Sequence, residues 1–106
     1  EGYSLKRLDA VEAKVQRCAY IQEQFPEISA LATKNLWFTC IYHGQLALRD
    51  LDEKAVTQAL TFLQGVLKFN PVVTGVCTWK ERIWLRMAWL DLRMTCRLRT
   101  RLRIGL

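Results

Sequence analysis

Apolar side chains recur at three- and four-residue spacing in four stretches of this chain, and each stretch is bounded by a helix stop. The first predicts a helix from Asp9 to about Phe25, with Val11, Val15, Cys18 and Ile21 on one side and Tyr20 beside them. Asp9-Ala-Val-Glu12 has the form of a capping box, an N-cap acceptor followed three residues on by a glutamate. Residues before Asp9 either run extended or add a turn capped by Ser4. Phe25 ends the helix, because the residue before a proline is pushed out of the α region. Pro26 suits the first turn of a second helix and Glu27 suits its dipole. Ile28, Leu31, Leu36, Phe38, Ile41 and Leu46 carry that helix to about Arg49. Gly44 inside it costs about 1 kcal/mol relative to alanine, so its presence points to close helix packing. After the connector Asp50-Leu-Asp52, a third helix is expected from about Glu53 to Phe69, with Val56, Ala59, Leu60, Leu63 and Leu67 on one face. Asn70-Pro71 stops it. A short turn from Val72 to Thr74 follows, broken by Gly75.

The fourth helix has the clearest pattern. Thr78-Trp-Lys-Glu81 is a second capping box. Ile83, Met87, Leu90, Met94 and Leu98 form one apolar strip, and Leu85, Trp89, Leu92 and Cys96 form another. Read as one continuous helix, Arg82, Arg86, Arg93 and Arg97 make a narrow cationic stripe between the two strips. One strip can pack on the scaffold, which leaves the other for a partner. From Arg97 onward arginine alternates with other residues at period two, so residues 97–106 read as a basic tail: a helix with arginine all round, a strand with four arginines on one face, or a segment disordered until bound. The fold expected is all-α, a bundle of about four helices with a basic C-terminal helix, in one domain spanning residues 1–106. No stretch is long and apolar enough to span a bilayer.

Charge sharpens this picture. Between Thr78 and Leu106 stand Lys80, Arg82, Arg86, Arg93, Arg97, Arg99, Arg101 and Arg103, opposed only by Glu81 and Asp91. That segment carries the whole net charge of +6, and the residues before it are balanced. It also holds Trp79, Trp84 and Trp89. Arginines interleaved with indoles suit an anionic, partly apolar surface, so Arg82, Arg86, Arg93, Arg97, Arg99, Arg101 and Arg103 are the candidate anion-binding set. Trp84 and Trp89 are the candidate membrane-interface residues. Charge gathered at one end, in a chain starting at Glu1, points to the C-terminal part of a longer protein.

Catalytic chemistry is hard to assemble from the remaining residues. Asp50-Leu-Asp52 has the Asp-x-Asp form that can hold a metal on a nucleotide diphosphate, but two acids at a helix–helix turn more simply cap and solubilise it. His43 is the single histidine and has no nucleophile or carboxylate at useful spacing, so it reads as structural. Cys18, Cys40, Cys77 and Cys96 are scattered without a C-x-x-C pair and read as reduced, buried thiols. Cys96, between Arg93 and Arg97 on its helix, is the one whose thiolate could be favoured. No catalytic residue, metal ligand or cofactor is expected in this chain.

The first 45 residues resemble a known family. Leu8-Asp9-Ala10-Val11-Glu12-Ala13, Arg17, Tyr20-Ile21, Phe25-Pro26-Glu27, Ala32 and Lys34 resemble the stretch that follows the catalytic domain in bacterial family 2 glycosyltransferases. Ile41-Tyr42-His43-Gly44-Gln45 is similar to the second helix of those tails. The nucleotide-sugar-binding domain, its Asp-x-Asp at a strand end and its catalytic base are absent here, and Ile28 stands where leucine is usual. The resemblance implies a C-terminal helical accessory region. The parent enzyme would transfer sugar from a nucleotide-sugar to a lipid-linked or polysaccharide acceptor at the cytoplasmic membrane face. Its partners would be an anionic membrane surface and the enzyme's own catalytic domain. Two other readings compete: a nucleic-acid-binding module using the arginine stripe, and a protein–protein module whose second apolar strip closes a homodimer.

Overall fold

The computed structural model describes residues 2–72 and 74–105. Among these the backbone forms five α-helices and no strand: α1 (Leu8–Gln24), α2 (Ser29–Asp50), α3 (Glu53–Phe69), α4 (Trp79–Leu90) and α5 (Leu92–Arg101). Single 3-10 turns stand at Leu5–Arg7, Pro26–Ile28 and Thr74–Val76. The all-α class is the one periodicity predicts. The fourth predicted helix, however, is two. The turn expected from Val72 to Thr74 lies partly outside the described residues, at Val73.

Helix ends follow local chemistry, with one correction. Asp9 does not cap α1. The 3-10 turn, held by the Arg7 amide on the Ser4 carbonyl at 3.0 Å, starts the helix at Leu8 and places Asp9 inside the first turn. There it faces the positive end of the dipole instead of an orphan amide. Pro26 likewise opens a 3-10 turn, and α2 proper starts at Ser29. The other two starts agree with the sequence. Asp52 accepts from the Ala55 amide at 2.9 Å to cap α3. Thr78 and Glu81 form a complete reciprocal capping box on α4, with bonds of 3.2 and 2.8 Å.

α2 is the central helix, and α1, α3 and α5 each pack against it. From Cys40 to Ala47 every side chain but Tyr42 is buried, polar ones included, as expected of a helix enclosed on all sides. Leu36, Ile41, Leu63, Leu67 and Leu92 are fully enclosed, each contributing about 1.5–3 kcal/mol relative to exposure. α5 approaches α2 closely at Gly44. A Cβ there would sit 2.6 Å from the Cys96 sulfur. The glycine thus sets the approach of α5 to α2.

The buried polar groups are paired. Among the described residues no buried side-chain nitrogen or oxygen lacks a hydrogen-bond partner. Gln45 is the main hub. Its amide nitrogen donates to the Thr100 hydroxyl at 3.1 Å and the Ile104 carbonyl at 2.8 Å, which fastens the end of α5 to α2. Ile104 and Arg103 also close a Schellman pair: the Ile104 amide meets the Arg99 carbonyl at 2.8 Å, the Arg103 amide meets Thr100 at 3.0 Å, and Arg103 adopts φ +60. The alternating run after Arg97 therefore stays helical to Arg101. Its period-two pattern yields to contacts with α2.

Candidate anionic-surface docking site

One continuous helix from Trp79 through Arg97 would have aligned four arginines. The structure breaks it at Asp91, whose backbone is extended at φ −157, ψ 96. Asp91 serves both ends: its amide reaches the Met87 carbonyl at 2.8 Å, and its carboxylate accepts from the Met94 amide at 3.1 Å to cap α5. Gln64 of α3 completes the joint. Its nitrogen donates to the carbonyls of Ala88 and Trp89 at 2.9 and 3.1 Å, and its oxygen accepts from the Leu92 amide at 2.8 Å. Side-chain groups thus satisfy backbone groups that a broken helix leaves orphaned. The single Arg82–Arg97 stripe does not exist; Arg82 and Arg86 belong to one helix, Arg93 and Arg97 to another.

The break decides which apolar strip packs. Leu85, Leu92 and Cys96 of the second strip are buried in the core, and its Trp89 is exposed. The first is mixed: Ile83 is 50%, Leu90 66% and Met94 48% exposed, and Met87 and Leu98 are half-buried. On α4, at about 100° per residue, Trp79, Ile83, Arg86 and Leu90 fall within about 60° of one another, with Arg82 and Trp89 on one flank. Trp79 is itself 62% exposed. The one acid of α4, Glu81, turns away and pairs with Lys34 of α2 at 2.9 Å. The Thr78 amide and then Lys34 hold its carboxyl below its ordinary value, so it stays ionised and committed. The outer face of α4 is therefore apolar and cationic, with no acid. It stands in addition to the usual inward apolar stripe, which Leu85 and Ala88 supply.

The seven candidate arginines divide in two. Arg82, Arg86, Arg97, Arg101 and Arg103 are exposed, and among the described residues none has an acid within ion-pair distance. Arg93 and Arg99 are engaged. Arg93 reaches Glu53 and Thr57 of α3, each at 3.2 Å. Arg99 is half-buried, with its guanidinium 5.0 Å from the Trp84 ring centre and 5.7 Å from that of Phe38. Burial pulls its pKa below the ordinary arginine value.

The two candidate tryptophans also differ. Trp84 is half-buried beneath Arg99 and does not join the outer face. Trp89 is 43% exposed, with Lys68 Nζ 4.5 Å from its ring centre. Sequence reasoning left Trp79 and Phe69 unassigned, yet Phe69, next to Lys68, is 88% exposed. A phenylalanine as the last residue of a helix, just before Asn-Pro, is the signal that could have marked it. Beside the α4 face, Trp37, Val72, Leu85 and Trp89 with Arg82 and Arg86 enclose a cleft of about 240 Å³.

The alternative chemistries fare as follows. Asp52 is a helix cap, and Asp50 accepts from the Tyr3 amide at 2.8 Å and from Arg49. Among the described residues no three His, Cys, Asp or Glu side chains converge on a point. His43 is buried, with Nδ1 2.6 Å from the Tyr3 hydroxyl. Burial, then Arg7 and Lys14, lower its pKa, and burial raises that of Tyr3 to about 12. The pair is therefore neutral, and the histidine tautomer decides which of the two donates. All four cysteines are free and buried. The thiolate considered for Cys96 is disfavoured: burial pushes that thiol up to about 12, outweighing the nearby Arg99. No described helix is long and apolar enough to cross a membrane. Comparison of the chain with protein-family models, curated proteins and solved structures returned no match.

Proposed function

We propose that this chain is a docking module that adsorbs to an anionic membrane surface through the outer face of α4, and that it performs no catalysis itself. The observation that carries this reading is the pairing, on one helix face, of Trp79, Ile83 and Leu90 with Arg82 and Arg86, all exposed and without an acid among them. A face of that kind gains from both components of a lipid interface. The acyl boundary takes the indole and aliphatic groups, and the headgroups take the guanidinium groups. The phosphate backbone of a nucleic-acid duplex would use only the second component.

The magnitude is sufficient. Each basic residue near an anionic leaflet contributes about 1 kcal/mol, so Lys80, Arg82 and Arg86 together supply about 3 kcal/mol before any apolar burial. The resemblance of α1 and α2 to the tails of family 2 glycosyltransferases supplies the cargo for this reading. In that setting the module holds a sugar-transferring catalytic domain against the cytoplasmic leaflet, where a lipid-linked or polysaccharide acceptor lies.

Co-sedimentation with vesicles tests the docking. Phosphatidylcholine alone should retain little protein, and phosphatidylcholine mixed with phosphatidylglycerol should retain much more. Substituting Arg82→Gln with Arg86→Gln should weaken the anionic binding by about 30-fold, equivalent to about 2 kcal/mol. Raising salt from 0.1 M to 1 M should weaken it further, since screening shortens from about 10 Å to about 3 Å. Equal retention by both vesicle types, or no loss in the double variant, overturns the reading.

A further inference from the structure

A second basic region lies away from α4, between the end of α2, the start of α3 and the outer side of α5. It is a groove of about 800 Å³, a size that admits a whole small ligand. Leu48, Leu51, Val56, Met94 and Leu98 provide an apolar floor, and Arg97 and Arg101 stand at its edge. The two arginines are one helical turn apart, so their side chains share a face. Like charges at that spacing destabilise a helix unless something negative lies between them. Among the described residues nothing does. Glu53, the acid of the groove, is bonded to Arg93 at 3.2 Å, and the third arginine of the lining, Arg49, is closed onto Asp50 at 2.8 Å. The wall is firm, because Gln45 ties Thr100 and Ile104 to α2.

We infer that this groove binds a single-chain amphiphile with a phosphate monoester head, the head held between Arg97 and Arg101 and the chain laid over Leu48, Leu51 and Met94. Phosphate is favoured over carboxylate by the count of donors. One guanidinium fork satisfies both oxygens of a carboxylate, whereas two forks on adjacent turns match the three free oxygens of a phosphate monoester. The apolar floor requires that the anion carry a chain. Inorganic phosphate would leave that surface wet.

The site is separate from the α4 face, and a monomeric ligand tests it without a membrane, so the two readings stand or fall independently. The experiment is calorimetric titration of the full chain with octyl phosphate below its micelle concentration. Inorganic phosphate and the neutral octyl glucoside serve as comparisons. Octyl phosphate should bind saturably, at least about tenfold more tightly than either comparison. Arg97→Gln with Arg101→Gln, both exposed, should weaken it at least about tenfold, and Arg82→Gln with Arg86→Gln should leave it within about twofold. Affinity unchanged in the first pair, lost equally in the second, or equal for inorganic phosphate overturns the assignment. Absence of saturable binding by the folded wild type does the same.

Discussion

Replacing Gly44 with alanine sets two effects of known size against each other. Alanine in a helix interior is worth about 1 kcal/mol more than glycine. The new Cβ, however, would lie 2.6 Å from the Cys96 sulfur and 3.3 Å from Leu60 Cδ2. That sulfur has little freedom to retreat: Cys96 is fully buried, and its thiol donates to the Ile41 carbonyl at 3.4 Å. Overpacking of this kind costs about 1–3 kcal/mol. Taking about 2 kcal/mol, Gly44→Ala should destabilise by about 1 kcal/mol and lower the Tm by about 4–8 °C. Cys96→Ala alone should cost about 1 kcal/mol for the lost buried atom. Combined, the two should nearly restore wild-type stability, because the alanine methyl fills the space the sulfur leaves. The coupling is then about 2 kcal/mol, far above the scatter of independent sites. Gly65 of α3 is the control: nothing lies within 4 Å of a Cβ there, so Gly65→Ala should stabilise by about 1 kcal/mol. Urea titrations of the four variants decide the matter. Stabilisation by Gly44→Ala, or additivity with Cys96→Ala, would refute the close approach of α5 to α2.

Two further outcomes follow from other contacts. Gln64→Leu removes the partners of two carbonyls and one amide at the Asp91 break, and should lower unfolding free energy by about 1–3 kcal/mol with helix content retained. A loss below a few tenths of a kcal/mol would show that water serves the joint equally well. Stability should also fall at both pH extremes through Tyr3 and His43. The pKa of His43 is lowered on folding, so the unfolded chain binds the proton first, and stability declines as pH drops below about 6.5. The pKa of Tyr3 is raised to about 12, so the folded chain keeps its proton longer, and stability declines as pH rises above 10.0. Tyr3→Phe should reduce the alkaline decline and leave the acid one; the part that remains belongs to the buried Cys40 and Cys96 thiols, which burial also raises to about 12. Urea midpoints followed against pH read both limbs, and an alkaline limb unchanged in Tyr3→Phe would contradict the assignment.

The sequence was most legible where a local rule acts alone. The start of α3 at Glu53 and of α4 at Trp79 follow from Asp52 and Thr78, whose side chains reach their own amides without help from the rest of the fold. The close packing at Gly44 was readable too, because an interior glycine that costs stability needs a reason. The Asp91 break was not. Apolar spacing runs through it unchanged, and the groups that make a break affordable come from Gln64, 27 positions away in the sequence from Asp91. That one event reassigns Arg93 and Met94 to a different helix from Arg82 and Arg86. Burial was equally hidden at Trp84 and Arg99, which cover each other. A pattern of tryptophan and arginine alone cannot distinguish a pair stacked on its own fold from a pair offered to a partner.

The central claim is that the outer face of α4 meets the lipid interface while the exposed face of α3 at Gln58 does not. An environment-sensitive fluorophore placed on Leu90→Cys, and separately on Gln58→Cys at an exposed position of α3, tests this most directly. The four native thiols are buried and leave the introduced one to react. On vesicles containing phosphatidylglycerol the label at position 90 should shift to the blue and be quenched by brominated acyl chains, with the label at position 58 unchanged. Equal responses at the two positions, or a label at position 90 that stays in water while the protein is vesicle-bound, would contradict it.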